Sequence, residues 1–468
     1  MKSKYGKFLL CVLIGAIIWF IPAPAGLSPM AWKFFAVFAA TIAAFILQPF
    51  PNSTNVLLAI TFCMGMNLVK IGEILASSYG NATVWLVFIA FLISKGFVKT
   101  RLGTRIAYIL IKLFGTSSLK LAYILACTDL VIAPATPSVT ARAGGIIFPI
   151  TKSLCEAMDS KPGPTAKKLG SYIMLSTIFV NAITASMFMT AMVSNPLIAE
   201  LAKSVLGIEL SWAMWFYAAL VPGVVSLLVV PYYLYKAYPP ELKQLTGAKE
   251  HAVKELESMG AMSRAEKMML AVFILIIVLW ATSSFTKLNA TFVGFLGVAI
   301  MLLLDVINWN DVLEEKGAWD TFIWLGGMIG LAGMLAKLGF IKWFAAIVSN
   351  SLTDVNWMFA LVALIIIYTY SHYGFASLSA HVTALYAAFV AVAVSAGAPA
   401  YLSALTLGFA SNLCSTLTQY GSAPAPIFFG AGYIDQMSWW KHGFVVCTIN
   451  LLIWVLLGGV WWKVIGLW

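Results

Sequence analysis

The amino-acid sequence predicts an all-α polytopic membrane protein with about eleven transmembrane helices in two inverted repeats. The first observation behind this prediction is composition, because 61% of the 468 residues are hydrophobic and only 10% are charged. Such a chain cannot fold around one soluble core. The second is a succession of long apolar runs, and the third is a polar interruption at corresponding positions of the two halves. Each repeat is therefore predicted to contain a re-entrant helical hairpin and a broken helix.

The membrane-spanning helices are predicted from apolar runs long enough to cross a hydrocarbon layer of ~30 Å. The first run begins like a signal peptide, but it continues through Ile21-Pro22-Ala23-Pro24 into another apolar run, which favours a retained helix. The predicted spans lie near residues 8–22, 30–48, 54–69, 82–98, 170–205, 212–235, 269–285, 289–306, 319–336, 401–431 and 442–462.

Two further apolar stretches, 118–154 and 355–396, carry clusters of Pro, Ser, Thr, Gly or His at their centres. Each is about long enough for two half-crossings of the membrane. Irregular backbone at membrane depth is tolerated where it is buried in protein or lines an aqueous cavity. Both stretches are therefore predicted to be re-entrant hairpins.

Basic residues predict the orientation of the chain. They crowd the amino terminus, the 99–120 segment and the 152–168 loop, and an excess of Lys and Arg is typical of cytoplasmic loops. These segments all lie on the cytoplasmic side of the membrane only if the stretch 118–154 returns to the side from which it entered. The polar connector 236–267 then lies on the cytoplasmic side too. The net charge of +11 thus indicates membrane orientation and no nucleic-acid partner. We expect a multi-pass protein of the bacterial inner (plasma) membrane with a cytoplasmic amino terminus.

Short matches relate the two halves at a nearly constant offset of 236–239 residues. Thr83-Val84-Trp85-Leu86 pairs with Phe322-Ile323-Trp324-Leu325, and Arg101-Leu102-Gly103 pairs with Lys337-Leu338-Gly339. Applied to Arg142, an offset of 239 gives His381. An odd number of crossings separates the halves, so the repeats are predicted to be inverted, as in secondary transporters with a site near the midplane.

Each half also contains a predicted break in a spanning helix. In the first half, 181–186 precedes Ser194, Asn195 and Pro196, and in the second half 411–418 precedes a segment with Pro424 and Pro426. Proline removes a backbone donor, and the half-helix amino termini that a break exposes suit carboxylate oxygens. The alternative is a proline kink whose hydroxyl groups bond to their own helix, which is common in membrane helices.

Arg142 and His381 lie within hydrophobic sequence, just after small hydroxyl residues. A charge in a membrane segment costs at least ~3 kcal/mol on insertion scales and by default indicates a functional site. The guanidinium fork suits a carboxylate, and an imidazole can be charged or neutral. The alternatives are an Arg that snorkels at the mouth of the hairpin and a His that packs and donates to a carbonyl.

Three motifs carry a family resemblance: Ala133-Pro134-Ala135-Thr136-Pro137-Ser138-Val139-Thr140-Ala141-Arg142 with Gly144-Gly145, Phe375-Ala376-Ser377-Leu378-Ser379-Ala380-His381, and Tyr420-Gly421-Ser422-Ala423-Pro424. Through them the chain resembles the divalent anion:sodium symporter (DASS) family over essentially its whole length. It looks most like the branch with bacterial dicarboxylate antiporters and plastid 2-oxoglutarate/malate translocators. The resemblance implies an elevator-type transporter and a homodimer.

The resemblance also implies a division of the chain into scaffold and transport parts. Residues 1–117 and 269–353 form the scaffold, 118–205 and 354–431 form the transport parts, 206–268 form the linking helix and cytoplasmic connector, and 432–468 form the C-terminal helix.

Sodium-coupled members of the family carry Ser-Asn-Thr at both hairpin tips, whereas this chain has Ser138-Val139-Thr140 and Ser379-Ala380-His381. The oxygen set expected to coordinate Na⁺ is thus depleted, and Arg142 and His381 can supply the positive charge instead. The predicted function is electroneutral, Na⁺-independent exchange of C4 or C5 dicarboxylates such as malate, succinate, fumarate and 2-oxoglutarate. The alternative is a Na⁺- or H⁺-coupled dicarboxylate or tricarboxylate symporter.

The residues predicted to bind substrate are hydroxyl, small and cationic residues of the tips and breaks. They are Thr136, Ser138, Val139, Thr140, Arg142, Thr184, Ser186, Ser379, Ala380, His381, Val382, Thr383, Thr416, Thr418, Gly421 and Ser422. Asp129 is expected to have a structural role, His372 to line the site or pack beside it, and His251 to be solvated.

No cofactor and no metal site are predicted, because the six cysteines are scattered without a C-x-x-C pair. An enzyme is disfavoured because the sequence contains no H-E-x-x-H, no G-x-S-x-G and no phosphate-binding glycine loop. A channel is disfavoured because matched inverted hairpins suit alternating access better than a continuous pore.

Overall fold

The computed structural model describes residues 3–351 and 356–468. These described residues are predominantly α-helical and contain no β-strand, which confirms the predicted all-α class. The predicted domain boundary at 353–354 and the first residue of the hairpin predicted over 355–396 lie outside the described residues.

Polar side chains begin many of the helices. Ser28 and Ser211 each accept a hydrogen bond from a backbone N–H three residues further on, which satisfies a donor that a helix start leaves unpaired. Ser263 and Glu266 cap each other's backbone in a capping box. The first-half helices are α1 Lys4–Phe20, α2 Pro29–Leu47, α3 Asn52–Gly65, α4 Ile71–Ser78, α5 Ala82–Thr100, α6 Leu102–Phe114, α7 Ser118–Ile132, α8 Phe148–Ala157, α9 Gly170–Met187, α10 Ser194–Leu206 and α11 Trp212–Ala237.

The connector contains α12 Ala248–Met259. The second-half helices are α13 Arg264–Ala281, α14 Ser283–Thr286, α15 Ala290–Leu303, α16 Trp309–Glu314, α17 Lys316–Lys337, α18 Phe340–Ser351, α19 Trp357–Ser371, α20 Leu378–His381, α21 Ala387–Ser395, α22 Ala400–Leu413, α23 Ala425–Gly430, α24 Gln436–Leu452 and α25 Gly458–Val464. All 18 residues of α9 are buried, so this helix lies in the interior of the protein.

Nine helical stretches in the described part of the chain are long and apolar enough to cross a membrane. They are Pro29–Leu47, Ala82–Thr100, Ser118–Ala135, Gly170–Met187, Trp212–Ala237, Lys316–Lys337, Trp357–Gly374, Leu378–Ser395 and Gln436–Val464. The spans predicted near 8–22, 54–69 and 289–306 correspond to α1, α3 and α15, which have 17, 14 and 14 residues. These helices are shorter than the ~20 residues of a typical span.

The two stretches predicted as hairpins each contain two helical arms joined at a polar tip. In the first, α7 leads to a tip at 133–139, and the chain continues through a π-helical turn, Thr140–Ile147, into α8. In the second, α19 leads to a tip at 372–377, followed by α20, a π-helical turn at Val382–Tyr386 and α21. The first arm packs against the returning chain in both cases.

The first helix break differs from the prediction. Residues 181–186 are helical and belong to α9. The Ser186 hydroxyl donates to a carbonyl of its own helix, as the alternative expected, whereas the Thr184 hydroxyl lies within hydrogen-bond distance of both Asn181 O and the Asp129 carboxylate. The break lies at 188–193, and Asn195 satisfies the carbonyls that it frees by donating to Ala185 O (2.8 Å) and Phe188 O (2.9 Å). In the second half, 411–413 are likewise helical and the break occupies 414–424.

The predicted break residues instead begin the second half-helices. Ser194, Asn195 and Pro196 are the first three residues of α10. Pro424 is the residue before α23, and Pro426 is its second residue. Proline is tolerated there because the N–H that it lacks would have no partner in the first turn of a helix.

Candidate functional site

Arg142 is fully buried in the π-helical turn that follows the first hairpin tip. Its Nε donates to Asp129 Oδ1 at 3.0 Å, and its Nη1 donates to the carbonyl oxygens of Thr136 (2.7 Å) and Ala191 (2.9 Å). These oxygens come from the hairpin arm, the hairpin tip and the helix break. One guanidinium therefore fixes three separate segments of the first half, which excludes the snorkelling alternative.

Asp129 compensates the charge of Arg142. Besides the guanidinium, its carboxylate accepts hydrogen bonds from Asn181 Nδ2 (3.1 and 3.3 Å) and from the Thr184 hydroxyl. A buried charge is tolerated only when it is paired and hydrogen-bonded, and Asp129 meets both conditions. The sequence-based expectation that Asp129 pairs structurally agrees with these contacts.

His381 occupies the corresponding place in the second half and is also fully buried. Its Nε2 lies 3.0 Å from Tyr368 O and 3.1 Å from Ser371 Oγ. A carbonyl oxygen only accepts, so Nε2 carries a proton. The ring centroid lies 4.4 Å from that of Tyr368 and 5.0 Å from that of His372.

The two tips repeat the same local geometry at the offset of 239 residues. Ser138 Oγ accepts a hydrogen bond from Ala141 N, and Ser377 Oγ accepts one from Ala380 N. Arg142 contacts Asp129, and His381 contacts Tyr368, which lies 239 residues after Asp129. A π-helical turn follows each tip. The sequence match between the halves is therefore accompanied by matching contacts.

Direct contacts join the elements of the two halves. Ser194 Oγ lies 3.2 Å from Ser379 Oγ, and Asn412 Nδ2 donates to Asn195 Oδ1 at 2.7 Å. A small apolar cluster packs beside them and contains Val139, Ala185, Met192, Leu378, Cys414, Leu417 and Cys447. Both tips and both breaks thus converge in one buried region.

The remaining polar groups of the site either have a hydrogen-bond partner within the protein or lack one. Thr136 donates to Ile132 O, and Thr416 lies within hydrogen-bond distance of Leu413 O and Gly443 O. By contrast, several buried polar atoms have no hydrogen-bond partner among the residues that the structure describes. Around the tips and breaks they include Arg142 Nη2, His372 Nδ1, His381 Nδ1, Thr383 Oγ1 and Thr418 Oγ1. Such atoms are rare in folded proteins and are available to a ligand.

The other predicted residues lie in the same tips and breaks. Gly421 O accepts a hydrogen bond from His372 Nε2 at 2.7 Å, which brings the third motif to the second tip. Thr140 is half-buried, and Ala380, Val382 and Ser422 are buried.

Sequence reasoning missed Tyr368 and the Asn195–Asn412 hydrogen bond. The first could have been found by applying the offset of 239 to Asp129. The second joins residues at different repeat positions, so no pattern within one half indicates it. His251 is also more than a solvated residue, because its Nε2 lies 2.8 Å from Ser153 Oγ of the hairpin arm α8.

Comparison with known proteins places these features in a family. The family described as "Sodium:sulfate symporter transmembrane region" matches residues 2–468. A putative malate transporter of Bacillus subtilis (strain 168), YflS, is 46% identical over 466 residues, which cover 99% of this chain and 97% of that protein. Dicarboxylate transporter 1 of spinach (Spinacia oleracea) chloroplasts is 42% identical over 98% of this chain and 81% of its own length.

Solved structures resemble the chain in fold. The YdaH transporter of Alcanivorax borkumensis has a TM-score of 0.60 at 11% identity, with coverage of 99% of this chain and 98% of that one. MtrF of Neisseria gonorrhoeae has a TM-score of 0.57 at 12% identity, with coverage of 98% and 94%. At these identities the likeness concerns the fold alone.

Proposed function

The chain belongs to the sodium:sulfate symporter (DASS) family, and we propose that within it the protein exchanges C4 or C5 dicarboxylates without Na⁺. It is a multi-pass membrane transporter and not an enzyme, since the matched family is one of symporters and relatives such as YflS and the spinach chloroplast protein are named transporters. The proposed substrates are malate, succinate, fumarate and 2-oxoglutarate. Chloroplast dicarboxylate transporters among the relatives support this substrate class.

The environment of Arg142 is the observation that carries the proposal. A carboxylate and two backbone carbonyls surround its guanidinium, and oxygen atoms of these kinds are the ligands that a hard cation takes in proteins. The guanidinium is covalently part of the chain and is always protonated. We therefore assign to Arg142 the organising role that a bound Na⁺ would have at this tip.

Unpaired polar groups give a reason for obligatory exchange. Because Asp129 offsets the charge of Arg142, the empty site carries little fixed charge from this pair. Arg142 Nη2, Thr383 and Thr418 nevertheless lack partners within the described residues, and each buried unsatisfied group costs about 1–3 kcal/mol. A dicarboxylate accepts hydrogen bonds from such donors. The loaded site can then move through the membrane more easily than the empty site.

His381 is assigned to the other end of the substrate. It occupies the position that corresponds to Arg142, and its Nδ1 has no partner in the described part of the chain. A protonated imidazole there would supply a counter-charge to the substrate, and a neutral one would leave substrate binding to Arg142 and the hydroxyls. Loss of exchange in His381→Ala, with the folded protein intact, is the result expected of the protonated form, and exchange that persists would leave substrate binding to Arg142 and the hydroxyls.

The remaining parts of the proposal concern the whole transporter. We assign the hairpins and broken helices to a mobile transport part, 118–205 and 354–431, that moves against the scaffold by an elevator mechanism. The matching contacts of the two tips support an internal repeat, and we propose that its two halves are inverted. A homodimer in the bacterial inner membrane, with the amino terminus in the cytoplasm, completes the proposal.

Uptake of labelled succinate into proteoliposomes of the purified protein tests the function. Internal dicarboxylate and external Na⁺ are each supplied or omitted, and protein-free vesicles serve as the control. Uptake should need internal dicarboxylate and should not change with Na⁺. Uptake into vesicles without internal dicarboxylate that follows the Na⁺ gradient would replace exchange by symport.

A further inference from the structure

Three potential metal ligands meet at the second tip, although Cys414 is distant in sequence from the two histidines. One ring nitrogen of His372, one of His381 and Cys414 Sγ all lie within 4.8 Å of one another. The two imidazoles belong to the hairpin, and the thiol belongs to the break that follows α22. All three side chains are fully buried.

The two imidazoles are oriented as metal ligands usually are. His372 Nε2 donates to Gly421 O at 2.7 Å, and His381 Nε2 donates to Tyr368 O at 3.0 Å. A metal-bound His typically donates its other N–H to a carbonyl or carboxylate, which fixes the ring and its tautomer. The Nδ1 atoms that remain are lone-pair acceptors without a partner among the described residues. Each ring therefore keeps one unpaired nitrogen, and both rings lie close to the buried Cys414 thiol.

We propose that His372, His381 and Cys414 bind a thiophilic divalent cation of the Zn²⁺ type. Zn²⁺ takes His nitrogen at ~2.0 Å and Cys sulfur at ~2.3 Å, so ligand atoms around one ion lie roughly 3.5 Å apart. The observed limit of 4.8 Å exceeds this spacing, so the side chains must move inward to bind an ion. Three protein ligands leave a fourth tetrahedral position, as in zinc sites that remain open to an external ligand.

Ion binding has chemical and mechanical consequences. Cys414 must lose its proton to bind as a thiolate, and this proton passes to solvent. The bound ion would connect the hairpin to the break and would occupy His381. We therefore expect the ion to inhibit exchange, and this consequence alone rests on the proposed function.

Cadmium binding to the purified full-length protein in detergent tests the site directly. Cd²⁺ bound to a thiolate gives an ultraviolet charge-transfer band, which is titrated in a Cys127→Ser background because Cys127 is exposed. The band should saturate at a single ion per chain. Cys414→Ser and His372→Asn should weaken binding by at least the ~10–100-fold that loss of an outer-sphere partner costs. Cys155→Ser, a change at a buried thiol in α8, should leave the band unchanged.

Transport measurements separate the site from the proposed function. Zn²⁺ should inhibit exchange by the parent protein, and Cys414→Ser should exchange normally but resist Zn²⁺. Absence of the band, or a band that survives Cys414→Ser, would overturn the metal site whatever the transport result. A normal band in a protein without exchange would retain the site and reject the proposed function.

Discussion

Arg142 and Asp129 form a buried ion pair in which each residue compensates the other. Removal of one partner from such a pair costs ~3–5 kcal/mol, because a charge is left buried and unpaired. A simple Arg142→Ala variant would therefore combine two effects, lost stability and lost function. The two effects can be separated by changing both partners.

We predict that Arg142→Ala/Asp129→Ala is more stable than Arg142→Ala but remains inactive. The double change removes the unpaired carboxylate, so much of the lost stability should return. The guanidinium that contacts the tip and is proposed to contact the substrate would still be absent. The exchange rate should therefore stay at least about tenfold below that of the parent, which corresponds to an increase of ~1.4 kcal/mol in the barrier. Thermal unfolding in detergent and exchange in proteoliposomes measure the two properties.

Recovery of exchange in the double variant would contradict this assignment, because Arg142 would then serve only to neutralise Asp129. His442→Asn provides a matched control for both assays. That imidazole lies in α24, where its Nδ1 is 3.1 Å from Tyr233 Oη, outside the two tips.

Sequence reasoning found Arg142 and His381 because a cationic or titratable residue is conspicuous in apolar sequence. It could not determine which atoms they contact. Asp129 lies 13 residues before Arg142, and only the fold of the hairpin brings the two side chains together. The contacts of the hydroxyl groups are even less predictable from sequence. A buried hydroxyl can bond to its own helix, as that of Ser186 does, or remain unpaired, as that of Thr383 does.

Asn195 stabilises the first helix break by three hydrogen bonds. Its Nδ2 donates to two carbonyls at the end of α9, and its Oδ1 accepts from Asn412 in the other half. Loss of a buried hydrogen-bond partner costs about 1–3 kcal/mol. We predict that Asn195→Ala lowers the melting temperature and slows exchange at least about tenfold, a change of ~1.4 kcal/mol in the barrier.

The control is Asn289→Ala, which removes an exposed helix cap at the start of α15. That change should cost about 1 kcal/mol of stability and leave exchange unaffected. If both variants lose stability but neither loses exchange, the break at 188–193 has no part in transport.

The breaks show why sequence located these elements only approximately. Small and hydroxyl residues at 181–186 lower the cost of unwinding, but their hydroxyls can also bond to the helix, and the helix persists. The interruption begins where Asn195 can satisfy the freed carbonyls. Proline indicates the first turn after a break better than the break itself, as Pro196 and Pro424 show.

The connector is attached to the amphipathic helix α6 by a second ion pair. Arg105 Nε donates to Glu266 Oε1 at 2.6 Å, and Nη1 donates to Gly260 O at 3.0 Å. Burial alone would raise the pKa of Glu266, but hydrogen bonds from Arg105 and from the Ser263 backbone outweigh it, so the pKa lies below the ordinary value of 4.5.

A carboxyl group whose pKa is lowered by folding stabilises the folded state at pH values above its ordinary pKa. This stabilisation is lost as the pH falls through the pKa that the group has in the folded protein. We predict that the melting temperature falls on acidification below 4.5. Glu266→Gln should melt at a lower temperature than the parent protein at neutral pH. Its melting temperature should also fall less than that of the parent on acidification. Glu257→Gln, at an exposed connector position, should keep the parent pH dependence. Equal acid dependence in all three proteins would contradict this role of Glu266.

Hydropathy and repeats determined the fold class because a membrane restricts the choice to helices or closed barrels. The offset of 239 residues then related Ser138 to Ser377 and Arg142 to His381, and the structure gives these pairs matching contacts. Contacts between the halves, such as Asn195 with Asn412, follow from packing that no local pattern encodes. The cluster of His372, His381 and Cys414 likewise results from tertiary packing and has no local sequence pattern.

Charge balance across the whole transporter gives the last prediction. Exchange of one dicarboxylate dianion for another moves no net charge. By contrast, the free energy of moving one elementary charge across the membrane changes by ~2.3 kcal/mol for each 100 mV of membrane potential. Succinate–succinate exchange should therefore proceed at the same rate with and without a potassium diffusion potential across the vesicle membrane. A potential-sensitive dye confirms that the potential is present. A rate that rises with an inside-positive potential would mean net inward movement of negative charge and would exclude electroneutral exchange.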